Sequence, residues 1–235
     1  DFDEAINLDP NCSSAFRNRG FAKYYLKKYE DAVEDLTMAI EKNSLDNAVK
    51  IDPSDFCNSN FWSFYYRGLA KFKLKKYLEA NNDFDKALKI DSQNADILYQ
   101  RGLTEYHLKN YDCAIDFFNE AININEVEPL LLSNLHLKLA VTYIKKEDYL
   151  IALTEINKSL HNNSNNWQAY LHLGFIKFLT GDNKDNISQE INKAESIFIA
   201  LNSKKFFKEL SKENLIFLLK IYEFVGDEKK IKEIS

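Results

Sequence analysis

Four histidines, three cysteines and thirty-six carboxylates are the side chains that could do chemistry in this chain. His107, His136, His161 and His172 never fall in pairs at metal-ligand spacing. Cys12, Cys57 and Cys113 are odd in number and far apart, which argues against a disulfide framework or a zinc site and for a reducing compartment. No phosphate-binding glycine loop, dinucleotide fingerprint, nucleophile elbow or H-E-x-x-H helix occurs. Carboxylate pairs such as Asp83 and Asp85 lie on repetitive surface helices and read as solvated faces. His136 reads as a packed ring and Cys113 as a core or edge thiol. No catalytic residue, no metal ligand and no cofactor is therefore predicted.

What remains is recognition by surface. Lys+Arg 31 against Asp+Glu 36 gives a net charge of −5, which weakens any case for phosphate-backbone binding. No apolar run reaches the roughly 18 residues of a membrane span. The start, Asp1-Phe2-Asp3-Glu4, has no basic flank or apolar core and does not read as a signal peptide. Six glycines and three prolines are too few for the turns of a β-sandwich, so long helices with short connections are expected.

Subtraction of residue numbers exposes the elements that carry the surface. Arg67-Gly68-Leu69-Ala70-Lys71-Phe72 returns as Arg101-Gly102-Leu103-Thr104-Glu105-Tyr106, 34 residues later. Tyr77 and Tyr111, Ala80 and Ala114, and Ala87 and Ala121 share that interval. An earlier copy, Arg19-Gly20, lies 48 before Arg67-Gly68, which is 34 plus 14. Tyr149 lies 38 after Tyr111, which is 34 plus 4. Each unit reads as two helices separated by a short polar break such as Lys75-Lys76, after which a tyrosine follows. A glycine inside a helix costs about 1 kcal/mol against alanine, so Gly20, Gly68, Gly102 and Gly174 mark where a second helix approaches closely. Ala32, Ala80, Ala114 and Ala152 are the expected facing small surface, with Phe2, Leu36, Phe84, Phe118 and Ile156 as the large knobs between these alanines.

These residues resemble the tetratricopeptide repeat family. Residues 95–128 carry Leu98, Gly102, Tyr106, Tyr111, Ala114, Phe118 and Ala121 of its motif, and 13–46 and 61–94 match nearly as well. In 133–166, Ala140 replaces the usual glycine and Ser159 the last alanine. Residues 167–201 keep Tyr170, Leu173 and Gly174 as a degenerate repeat, with Asn183 where a tyrosine is usual. Residues 1–12, with Phe2, Ala5 and Pro10, look like the end of a truncated repeat, so the chain reads as a piece of a longer one. The implied fold is all-α, a right-handed superhelical solenoid of antiparallel helix pairs.

Two stretches depart from the pattern. Residues 47–60 are extra and read as a short helix, an Asp-Pro turn and a loop to Asn60. They are a tolerated surface insertion or a flap over one end of the groove. Residues 202–235 read as capping helices, or alternatively as a second partner surface.

In the family, first helices line a concave groove that holds peptides. Carried onto this chain, the resemblance assigns to that groove Arg17, Asn18, Tyr24, Trp62, Tyr65, Tyr66, Lys73, Tyr99, Gln100, Tyr106, Lys138 and Lys145. The aromatics either face a ligand or pack between neighbouring first helices. The cations favour a protein or peptide partner with acidic and apolar residues. The clamp by which some family members hold acidic chaperone tails is not reproduced, because Phe21, Tyr66, Asp96 and Gln100 stand in its places. The resemblance thus implies a non-catalytic interaction scaffold, intracellular and cytoplasmic, with no nucleic-acid ligand and no membrane insertion. The alternatives are a regulatory or sensor segment of a longer multidomain enzyme, and a helical-repeat RNA binder.

Overall fold

A computed structural model describes residues 2–46, 53–202 and 206–234. Every element among them is helical. The chain divides into two compact units, Asp1–Asn125 and Glu126–Ser235.

The first unit holds α1 (Phe2–Leu8) and three antiparallel pairs: α2 (Ser13–Tyr25) with α3 (Tyr29–Asp46), α4 (Pro53–Lys73) with α5 (Tyr77–Leu88), and α6 (Ala95–His107) with α7 (Tyr111–Ile122). The second holds α8 (Pro129–Lys145) with α9 (Tyr149–Asn162), α10 (Trp167–Leu179) with α11 (Lys184–Asn202), a short 3-10 turn (Phe206–Glu209), and α12 (Lys212–Val225) with α13 (Glu228–Ile234). The 34-residue recurrence therefore marks a real structural unit.

Each polar break is a left-handed turn. Lys27, Lys75, Lys109, Glu147 and Gly181 have φ between 61° and 78°, and they follow the same 48, 34, 38 and 34 spacing as the repeat. The next residue donates its amide to the carbonyl five positions back, as from Lys76 to Lys71 (2.9 Å) and Asn110 to Glu105 (2.9 Å). This closes the first helix and reverses the chain into the second. Four of the five turns use a side chain other than glycine, at a cost of about 1 kcal/mol each.

The glycines lie against the knobs. A methyl group on Gly68 would come within 2.7 Å of the Phe84 ring, and one on Gly174 within 2.6 Å of Ile191 Cδ1. Leu36, Phe84, Phe118 and Ile156 are fully buried. Ala140, in the glycine's place, and Ile156, in the knob's, are both fully buried. Phe2 is not a knob: it stands 40% exposed at the start of α1.

One expectation changes. Residues 53–60 are helix rather than loop, because α4 starts at Pro53, where a proline suits a first helical position. The remainder of that insertion, 47–52, lies outside the described residues. The degenerate 167–201 segment is a full pair, in which Ile187, Ile191, Ala194 and Phe198 bury one face of α11. There Asn183, in the tyrosine's place, accepts the Asn186 amide (2.8 Å) and starts the helix. No helix among the described residues is long and apolar enough to cross a membrane.

Candidate functional site

The first helices α2 and α4 bring six rings of the first unit together. Phe21 packs on Tyr66 with centroids 4.4 Å apart, and Tyr24 and Tyr25 reach Tyr66 at 5.5 and 5.9 Å. Trp62 lies 6.1 Å from Tyr65 and 6.2 Å from Tyr66. The Tyr25 and Tyr66 hydroxyls share a hydrogen bond of 2.7 Å. Tyr25 is 69% exposed and Trp62 47% exposed, over a half-buried floor of Phe21, Tyr24, Tyr65 and Tyr66. Burial raises the Tyr65 phenol well above its ordinary pKa, with the negative charge of Asp96 adding to it. Burial and the bond from Tyr25 push Tyr66 up to about 12. These phenols are neutral hydrogen-bonding groups at any physiological pH.

Of the other residues assigned to a groove in this unit, Arg17 is half-buried, and Asn18 and Lys73 are exposed on α2 and α4. Tyr99 and Tyr106 do not join the ring cluster. Tyr99 packs on Phe118 (6.1 Å) and Tyr106 on Tyr111 (5.7 Å), so both act as spacers inside their own helix pair. Burial raises Tyr99 to about 12. Gln100, beside it, is half-buried, and its backbone carbonyl accepts the Thr104 hydroxyl at 2.7 Å.

The helix pairs also hold a charge ladder, and it overturns the expectation that Asp83 lies on a solvated face, because Asp83 is fully buried. Arg67 donates twice to Asp83, from Nε (2.9 Å) and Nη2 (2.6 Å), and Lys71 Nζ lies 2.8 Å from the same carboxylate. Arg19 and Lys23 hold Asp35 in the same way, at 2.6 and 2.7 Å. Burial pushes the Asp35 carboxyl up, but the bonds from Arg19 and Lys23 outweigh it and hold it below the usual range. In the third pair Phe117 replaces that aspartate. Arg101 lies over its ring at 4.6 Å and turns to Glu105 (2.9 Å) and Asp85 (2.9 Å) instead. The signal was in the sequence: an Arg before Gly20, Gly68 and Gly102, and an Asp 16 residues after Arg19 and Arg67.

The second unit presents different chemistry on its first helices. Lys138 of α8 is half-buried, and burial lowers its pKa. No described carboxylate pairs with it. Lys145, one face-repeat further along α8, pairs with Glu213 of α12. His172 of α10 was not among the expected site residues. Its Nδ1 is buried with no hydrogen-bond partner among the described residues. Burial, reinforced by the positive charges of Lys138 and Lys145, lowers its pKa to about 3, so the ring is neutral near pH 7. His136 is the packed ring expected from sequence, and it is also a partner: its Nδ1 lies 2.6 Å from Glu155. Among the described residues no group of three His, Cys, Asp or Glu side chains could hold a metal ion.

Residues 65–127 match the tetratricopeptide repeat family model. No curated protein matches the sequence. Among solved structures, the type IV pilus biogenesis factor PilW superposes with a TM-score of 0.70 at 18% identity, covering 94% of this chain and 90% of its own. MamA from Desulfovibrio magneticus RS-1 gives a TM-score of 0.62 at 19% identity, over 81% of this chain and 97% of its own. YrrB, described as a TPR protein with an unusual peptide-binding site, gives 0.58 at 17% identity, over 86% and 96%. Identities this low speak to the fold alone. The 34-residue helix pair, its left-handed turn and its glycine-on-knob contact give the chain the tetratricopeptide repeat fold, and residues 65–127 carry that family's sequence pattern.

Proposed function

We propose that the protein is a non-catalytic interaction scaffold, and that the aromatic face of α2 and α4 takes a partner peptide. The observation that carries this reading is the six-ring cluster with Tyr25 and Trp62 open to solvent. Tyr and Trp give large contact area at low conformational cost, which is why they dominate binding hot spots. Arg17 and Lys73 add cations on the same two first helices, so the partner carries apolar anchors and at least one carboxylate. Intracellular residence belongs to the same reading and is supported by the free thiols of Cys12 and Cys113.

A random peptide library selected on the full chain tests the site. Enriched peptides are measured by calorimetry against the parent protein, Trp62→Ala, Tyr65→Ala and Lys73→Glu, with circular dichroism to confirm folding. Truncating a ring at a hot spot weakens binding by about 2 kcal/mol. Lys73→Glu slows association, and the effect fades with added salt. Peptides that bind both ring variants as tightly as the parent would move the site elsewhere.

A further inference from the structure

α12 lies against the first helices of its own unit. It begins at Ser211, whose Oγ accepts the Asn214 amide (3.2 Å), and Glu213 in its first turn pairs with Lys145 near the end of α8. Phe217 then packs on Phe175 (4.4 Å) and Phe178 (6.0 Å) of α10. Phe224 reaches Phe178 (5.4 Å), and the Lys184 ammonium at the start of α11 lies 5.1 Å above its ring. The helix therefore runs from the end of α8, past the second half of α10, to the start of α11. Leu218, Ile221 and Tyr222 of the same helix are buried.

The seat is polar in the wrong places. His172 stacks edge-on against Phe175 (5.4 Å), the ring that Phe217 covers. Its Nδ1 and the Tyr222 hydroxyl are both buried without partners among the described residues. Lys138 is desolvated with no described counter-ion. The charges that bear on His172 are Lys138 and Lys145, both positive. α12 brings Glu213, which is held by Lys145. Glu155 of α9 is taken by His136 and Lys158, and Glu190 and Glu195 of α11 are taken by Lys177 and Lys230. An orphaned buried polar group favours whichever state lets water reach it.

We propose that the α8–α10 face is a second binding surface held shut by the first half of α12, and that acidification releases it because closure strands His172 without a hydrogen-bond partner beside two ammonium groups. The latch is Glu213 on Lys145 and Phe217 on Phe175 and Phe178. The second half of α12 and α13 stay anchored, through Leu218, Ile221 and the two bonds of Lys230 to Glu195 (2.6 Å each). Opening bares Lys138, Lys145, a protonated His172 and two phenylalanines, a surface for an acidic segment with an aromatic one helical turn on, the pattern that Glu213 and Phe217 already present. The inference stands independently of the peptide site on α2 and α4.

Hydrogen exchange of the full chain at pH 7.5 and 5.0, corrected for intrinsic rates, tests it on the Lys212–Phe217 amides. The open population rises about 30-fold at pH 5.0, since each unit below the free histidine pKa contributes tenfold. His172→Leu and His172→Gln both flatten that dependence, so either one suffices if the other folds poorly. Glu213→Gln raises opening at both pH values and keeps the dependence. Equal protection at the two pH values, a dependence that survives both His172 variants, or loss of protection in α10 and α11 in step with α12 would each overturn the latch.

Discussion

In residues 1–125, Asp35 and Asp83 are each gripped by an arginine and a lysine from the first helix of the same pair. In residues 126–235 the equivalent place holds Glu155, gripped by His136 and Lys158, and the arginine position is Leu139. The same scaffold thus uses two charge chemistries. Arginine stays charged at every pH and binds a carboxylate with a fixed fork. Histidine meets its carboxylate through a single ring nitrogen, Nδ1 of His136 at 2.6 Å. The faces differ in the same sense: neutral rings on α2 and α4, but cations and an orphaned imidazole on α8 and α10.

The largest effect separating the units comes from the ladder. Arg67→Met leaves Asp83 buried with Lys71 alone and costs roughly 3–4 kcal/mol, toward the low end for a broken buried pair. Native-state hydrogen exchange places that loss in the first unit; an equal loss in both would erase the distinction.

Next comes the glycine contact. Gly102→Leu forces the Phe118 ring aside and destabilises the first unit by about 2–3 kcal/mol in urea unfolding. Gly174→Ala meets only the mobile end of Ile191 and gains about 1 kcal/mol of helix propensity, so it is close to neutral. An unchanged midpoint in Gly102→Leu would remove the close contact.

The third prediction is the acid response. His172 has its folded pKa depressed, so above the free value of 6.5 it has no effect on stability. As pH falls below 6.5 the unfolded chain takes the proton and the folded one does not. The second unit therefore loses about 2 kcal/mol by pH 5, at about 1.4 kcal/mol per pH unit. Asp35 and Glu155 are held below their usual pKa, because bonds from their cations outweigh burial. Their contribution is full above the free values of 3.8 and 4.5 and is lost only as pH falls through the folded values. A first unit that softens as early as the second would contradict this.

The smallest effect belongs to the turns. Lys109→Gly relieves a φ of 65° and stabilises the first unit by up to about 1 kcal/mol. Glu147→Gly (φ 63°) does the same in the second. A loss of stability in either would show that the side chain matters more than the backbone there.

The helix pairs were legible because repetition averages out local noise: the 34-residue interval marks Gly102 as a close approach and Phe118 as a knob, and the fold brings the two together. The ring cluster was legible in part. Tyr24, Trp62, Tyr65 and Tyr66 meet, whereas Tyr99 and Tyr106 turn into their own pair, a choice set by side-chain direction that spacing cannot show. Pro53 as a helix start was readable from its fixed φ, yet the apparent end-of-repeat Asp52-Pro53 masked it. His172 and α12 were not legible. Their relation joins α8, α10 and α12 across 68 residues, and nothing in the sequence periodicity reports on it.

The contacts inside each pair span short stretches of chain. The arginine–aspartate bonds join residues 16 apart, as do Gly20 with Leu36, Gly68 with Phe84 and Gly102 with Phe118. Little loop entropy is spent before such contacts form, so folding proceeds on the microsecond-to-millisecond scale of low contact order. Any of the pairs can act as the nucleus, and growth passes to its neighbours. A chain pulled from its ends would then yield in steps of one helix pair, and a whole 34-residue period could be deleted or duplicated without inventing a new core.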